Sequence, residues 1–137
     1  MPLGIAYLAA AAKQSGIEVS VYDLNIELYR NVPASARQRW HTNSFEYWAS
    51  GAVLKDNCID IEHYVSYIIK SGKPFVGISA TYSSIPVINR LIRALRTAAP
   101  DLVLVIGGGA ASHAVHRKLL CRDCIDYYVV GEGETAL

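Results

Sequence analysis

Four short, nearly unbroken apolar runs, at 19–22, 75–78, 102–106 and 127–130, constrain this chain more than any other feature. Each is rich in β-branched or aromatic residues and bounded by Gly, Pro or Asp. Runs without polar alternation read as strands buried on both faces, which is the habit of parallel sheets. Helical periodicity fills the spaces between them. Residues 3–14 close on Ser15-Gly16, and 59–69 carry Ile61, Val65, Ile68 and Ile69 and end at Gly72. Residues 86–98 open on Pro86, with Val87, Ile88, Leu91, Ile92 and Leu95 on one face and Arg90, Arg93 and Arg96 on the other. That basic face reads as solvated helix surface. A weaker helix is expected over 114–120. Strand and helix in alternation predict an open α/β fold, a Rossmann-like parallel sheet with helices on both faces.

Composition narrows the function classes. A chain of 137 residues is one domain's worth, and 52% hydrophobic residues exclude disorder. Thirteen Lys+Arg against twelve Asp+Glu give a net charge of +1, too small a footprint for a dedicated nucleic-acid partner. No run approaches the ~18 apolar residues of a membrane span. The Ala-rich start lacks the basic segment of a signal peptide and reads as a buried first helix. Three cysteines cannot all pair internally, which favours a reducing, cytoplasmic setting over a disulfide framework.

Residues 27–57 fit the alternation least. Tyr29, Trp40, Phe45, Tyr47 and Trp48 are spaced by polar residues, with Pro33 early on, and read as a partly helical excursion packing aromatics over one edge. The chain also opens on a helix with no strand ahead of it, although in a doubly wound sheet the first strand feeds the first helix. The expectation is therefore an N-terminal fragment whose first strand is missing.

Ligands of open α/β sheets bind beyond the carboxyl ends of the strands. Those positions hold Asp23-Leu24-Asn25, then Ser79, Ala80, Thr81, Tyr82, Ser83 and Ser84, then Gly107, Gly108 and Gly109, then Gly131, Glu132, Gly133 and Glu134. Three glycines after a buried strand either admit a ligand close to the backbone or relieve crowding in a tight turn. The triplet is neither G-x-G-x-x-G nor a P-loop, so a dinucleotide or nucleoside triphosphate is weakly supported. Ser84 reads as a helix cap before Pro86, leaving Ser79 as the functional hydroxyl. His113, His116, Cys121 and Cys124 are too closely spaced for a typical structural zinc site. The C-x-x-C pair follows a helix, where no N-terminal dipole lowers a thiol pKa. Asp23 and the acids at 131–134 do not form an evident catalytic pair.

Five pieces, taken in order, resemble the cobalamin-binding domain of radical S-adenosylmethionine enzymes. They are PLGIAYLAA at 2–10, GIEV at 16–19 running to Asp23, VGIS at 76–79, Pro100-Asp101 leading to Gly107-Gly108, and Asp126-Tyr127 with GEGE at 131–134. The resemblance implies a five-stranded parallel sheet of flavodoxin-type order, 2-1-3-4-5, with cobalamin across the strand ends and its nucleotide tail in a slot between sheet and helix. Ser79 takes the place of the serine that meets the tail's benzimidazole, and Gly107 and Gly108 match the pair whose missing side chains make room for it. The cofactor-binding set so implied is Ser79, Ala80, Thr81, Gly107, Gly108, Gly109, Gly131 and Glu132. A leucine at Gly108 is then expected to abolish binding without unfolding the chain.

Two departures accompany the likeness. Gly109-Ala110 stands where many relatives carry Pro-His, and no Asp-x-His-x-x-Gly motif supplies an axial histidine to cobalt. The resemblance places S-adenosylmethionine and a [4Fe-4S] cluster in a downstream domain beyond Leu137, because the C-x-x-x-C-x-x-C triplet is absent here. No complete active site lies in this chain; the parent reaction implied is methyl transfer or related radical chemistry. The competing readings are a cofactor-free docking domain of the same enzyme class and a stand-alone flavodoxin-like or receiver module, the last lacking its clustered acids.

Overall fold

In the computed structural model, which describes residues 2–56 and 59–135, strands and helices alternate as read from the sequence from residue 75 onward, while only helices and turns precede it. Helix α1 (Leu3–Gln14) is followed by α2 (Leu24–Asn31), whose first turn is capped by the Asp23 carboxylate accepting from the Ile26 amide at 3.1 Å. Then come the short α3 (Phe45–Ala49) and α4 (Ala52–Lys55), and α5 (Ile61–Lys70), capped by Asp60. Strand β1 (Phe75–Ser79) leads through a 3-10 turn to α6 (Ile85–Ala98). Strand β2 (Val103–Gly107), the short α7 (Gly109–Ser112) and α8 (Ala114–Arg117), and β3 (Tyr127–Tyr128) complete it.

The three strands form one parallel sheet in the order β1-β2-β3, with Phe75 opposite Val103 and Ser79 opposite Gly107. This open parallel sheet with helices around it is a Rossmann-like fold. Period-two alternation puts Val76, Ile78, Leu104 and Ile106 on one face, where they meet the buried sides of α5 and α6. Ile92, Leu95, Leu104 and Ile106 are completely buried there, each stabilising the fold by roughly 1.5–3 kcal/mol.

Several expectations are corrected. Residues 19–22 lie outside the sheet: a strand persists only where a neighbour takes its amides and carbonyls, and no strand among the described residues lies beside this segment. Tyr22 instead packs on Tyr64 and Tyr67 of α5, ring centroids 6.1 and 4.6 Å away, and Glu18 pairs with Lys73 at 2.8 Å. The run at 127–130 forms only a two-residue strand, although Val129 continues the pairing by donating to Ile106 O at 2.9 Å. The helix expected over 114–120 covers only Ala114–Arg117. At the edge strand β1, Phe75, Gly77 and Ser79 are exposed, whereas Val105, on the same face of β2, is buried. Helix α1 is not a buried helix. Of its residues only Ala12 is buried, while Leu3 is 71% and Tyr7 59% exposed, because the helix rests on the 133–135 turn instead of the open sheet face.

Arg90 and Arg93 are exposed as read, but Arg96 is not merely solvated. Its guanidinium donates to Pro100 O, Leu102 O and Cys124 O at 2.6, 3.0 and 3.0 Å, and pairs with Asp126 at 2.7 Å. One side chain thus ties the end of α6 to the entrances of β2 and β3.

The aromatic excursion is partly helical, as expected. Trp40 donates to Asn25 Oδ1 at 3.0 Å, Trp48 to Arg39 O at 2.8 Å, and the two indoles meet edge to face at 4.9 Å. Tyr47, held by Arg39 and Asp56, has its phenol pushed up to about 12, chiefly by burial and then by its bond to the Asp56 carboxylate.

Candidate functional site

The two glycine- and hydroxyl-rich loops after β1 and β2 are fastened together at one residue. Ala80, fully buried, donates its amide to Gly107 O at 3.0 Å and accepts from the Ala110 amide at 2.9 Å. Gly108 lies against this junction with φ 79 and ψ −168, a backbone region open essentially to glycine alone. A Cβ there would stand 2.8 Å from Ala80 O and 3.0 Å from Ser79 Oγ. Glycine at 108 is therefore demanded by the chain's own packing, whatever else it serves. The expectation that a leucine at Gly108 leaves the fold intact is corrected by these contacts.

Room for a ligand lies beside the junction instead. A Cβ added at Gly77 or Gly109 would meet nothing within 4 Å, and one at Gly107 would make only ordinary contact with Val129 Cβ at 3.8 Å. The register puts Gly77, Ser79 and Gly107 on the same, open face of the sheet. The Ser79 hydroxyl makes no hydrogen bond among the described residues, so its donor is available at the edge of that bare strip. Gly77, quoted above only as part of VGIS, joins this strip. Its signal was present: a glycine inside a strand marks a close backbone approach.

The other anticipated residues divide. Thr81 belongs to the same loop but is engaged locally, since its amide donates to Ser84 Oγ at 3.0 Å and Ser84 Oγ donates back to Thr81 O at 2.9 Å. Ser84 is indeed the residue at the N-cap of α6, though its hydroxyl closes the Thr81 turn and bonds no amide of that helix. Gly131 (φ 93) and Glu132 follow β3; the Glu132 carbonyl accepts from Thr135 Oγ1 at 2.8 Å. Their turn is pressed against α1, where a Cβ at Gly133 would be 2.7 Å from Leu8 Cδ2. The structure thus brings Ser79, Ala80, Gly107, Gly108 and Gly109 together and leaves Gly131 and Glu132 in a separate turn.

A row of rings beyond the strand ends was not legible in the sequence. Phe45 of the excursion stacks on Tyr82 at 5.7 Å, Tyr82 meets His116 at 4.8 Å, and His116 meets His113 at 5.0 Å. His116 Nδ1 lies 3.4 Å from Gly109 O, which joins this row to the glycine loop. Among the described residues, no three His, Cys, Asp or Glu side chains are grouped to hold a metal ion. No helix among them is long and apolar enough to cross a membrane. A surface cavity of about 260 Å³ is lined by Tyr82 of this row with Ile85, Pro86 and Asn89, and another of about 300 Å³ by Arg117, Lys118, Arg122 and Tyr128.

An open parallel sheet whose strand-end loops present bare glycines and a free hydroxyl defines a Rossmann-like binding domain. A family model of the B12 binding domain matches residues 48–137, and the chain belongs to that family. The match contains Ser79 and every glycine of the site, while the two N-terminal pieces of the resemblance precede it. No curated protein and no solved structure matches the chain.

Proposed function

We propose that this chain holds the nucleotide tail of cobalamin on the strip formed by Gly77, Ser79, Gly107 and Gly109. The observation that carries the reading is the bare, open face beside an unpartnered serine hydroxyl, framed by loops that Ala80 and Gly108 lock together. The residues fit the group. A flat heteroaromatic tail needs a floor without side chains and a donor for its ring nitrogen, and glycine with serine supplies both. Ser79 orients the tail, Gly77 and Gly109 leave it space, and Gly108 keeps the two loops at fixed separation. Bound cobalamin would supply a carrier for a methyl group in the parent reaction.

The finer reading places the domain ahead of a radical S-adenosylmethionine domain that carries the [4Fe-4S] cluster, in a cytoplasmic enzyme. It rests on the order of the five pieces, ending in GEGE at 131–134. It predicts a C-x-x-x-C-x-x-C triplet in the continuation of the reading frame. The same reading adds a fifth-strand architecture in which a further parallel strand pairs with the free edge of β1 and, on its other side, with residues 19–22. The exposed apolar side chains of Leu3 and Tyr7 on α1 and of Phe75 on β1 support it.

The test is incubation with hydroxocobalamin, gel filtration and a visible spectrum of the protein peak. Near-stoichiometric co-elution with the spectrum of displaced benzimidazole is expected, and Gly77→Leu should abolish it. A colourless peak from protein that is folded by circular dichroism would favour the cofactor-free docking domain.

A further inference from the structure

The cofactor reading leaves the C-x-x-C pair unused, and the fold places its sulfurs together. Cys121 Sγ and Cys124 Sγ are 2.9 Å apart. The Cys124 amide donates to Cys121 O at 3.0 Å and so closes a four-residue turn. Such a turn holds its end Cα atoms within about 7 Å, and a disulfide accepts roughly 4.4–6.8 Å. With an S–S bond of about 2.05 Å, the sulfurs need to close by less than about 1 Å.

The turn is also anchored before any bridge forms. The Asn89 side chain accepts from the Cys121 amide and donates to Leu119 O, both at 2.8 Å. Arg96 holds the Cys124 carbonyl at 3.0 Å. Bridging therefore demands little backbone movement. A bridge closing so short a loop removes little entropy from the unfolded chain, so it would be weakly held against reduction. That combination describes a switchable pair and not a staple.

We propose that Cys121 and Cys124 form a reversible dithiol–disulfide pair whose oxidant is a low-molecular-weight disulfide of the glutathione class. Cys121 is buried and Cys124 half-buried, so Cys124 meets the oxidant first. Its thiol loses a proton and attacks one sulfur of the small disulfide. The small S–S bond breaks, one small thiolate leaves and takes up a proton, and a mixed disulfide remains on Cys124. The Cys121 thiol then loses its proton and attacks the Cys124 sulfur, expelling the second small thiolate, which is protonated in turn. Two protein thiols are oxidised by two electrons and one small disulfide is reduced to two thiols.

The full chain is equilibrated in oxidised and reduced glutathione buffers of graded ratio, trapped by alkylation and digested with trypsin. Arg122 lies between the two cysteines, so cleavage after it separates their peptides unless a bridge joins them. The expected result is a joined pair, lighter by two hydrogens than the sum of its parts, that separates again in excess reduced glutathione. Two persistent glutathione adducts, or thiols that stay reduced where dithiothreitol in the same buffers is oxidised, would overturn the proposal. Cys121→Ser should leave Cys124 carrying a glutathione that the natural chain does not retain. If that variant does not fold, the mapping of the unaltered chain still decides.

Discussion

At the scale of single residues, the glycines of one loop do different work. Gly108 is held in a glycine-only backbone region against Ala80 and Ser79. Gly108→Ala should therefore cost about 1–3 kcal/mol of stability, read as a lower urea midpoint with no change in slope. Gly77 lies in an ordinary strand conformation facing open space. Gly77→Leu should change the unfolding free energy by no more than about 0.5 kcal/mol, as a surface substitution does, while removing cobalamin co-elution. The opposite pattern, with stability lost at Gly77 and binding retained, would move the tail off this strip. Spacing alone marked the triplet at 107–109 as important, but it could not say which glycine serves the fold and which leaves room. That distinction depends on which atoms stand opposite each Cα.

Among the elements, α6 joins the sheet to the loop that enters β3. Its apolar face was legible from the 3.6-residue period, and Ile92 and Leu95 are fully buried as that period requires. Ile92→Ala should cost about 2–5 kcal/mol, read by thermal or urea unfolding. The role of Arg96 was not legible, since its three carbonyl partners and Asp126 are distant in sequence or hidden in irregular backbone. Asp126 accepts from the Leu104 amide at 2.7 Å and pairs with Arg96, and these hold its carboxyl below the usual carboxylate range, the amide contributing most. A carboxyl depressed in the folded state stabilises the fold above its unfolded pKa, near 3.9, and loses that contribution as pH falls through the lower folded value. Asp126→Asn should thus lower the melting temperature at pH 7, with the gap to the parent narrowing below about pH 4. A gap that stays constant down to the acid transition would show that the ion pair and the Leu104 bond carry no linked proton.

For the molecule as a whole, the decisive feature is the outer edge of β1, which no strand among the described residues pairs. In a parallel ladder, alternate residues of a strand turn both backbone groups to one neighbour. Val103 donates to Pro74 O and Ala80 to Gly107 O, so the even-numbered residues of β1 face β2, and Phe75, Gly77 and Ser79 face outward. Hydrogen exchange should find the amides of Val76 and Ile78 protected and those of Gly77 and Ser79 close to unprotected. In a chain extended by the further strand proposed above, Gly77 and Ser79 should become slow, and residues 19–22 with them. Fast exchange at Gly77 in both chains would show that the edge stays free.

The sequence by itself determined the parallel α/β class, the places of α1, α5, β1, α6 and β2 to within a residue or two, and the loops that follow β1 and β2. Those features are local. Periodicity, glycine punctuation and β-branching act over a few neighbouring residues, and the core face of each element follows from them. Only the tertiary structure decided that 19–22 is no strand here, that α1 stands largely exposed, that Arg96 is a clamp and that Cys121 meets Cys124. Each of these depends on a partner distant in sequence, or on the absence of one. Backbone hydrogen bonding and burial are satisfied between segments, so a segment's own residues state what it requires but not whether a neighbour supplies it.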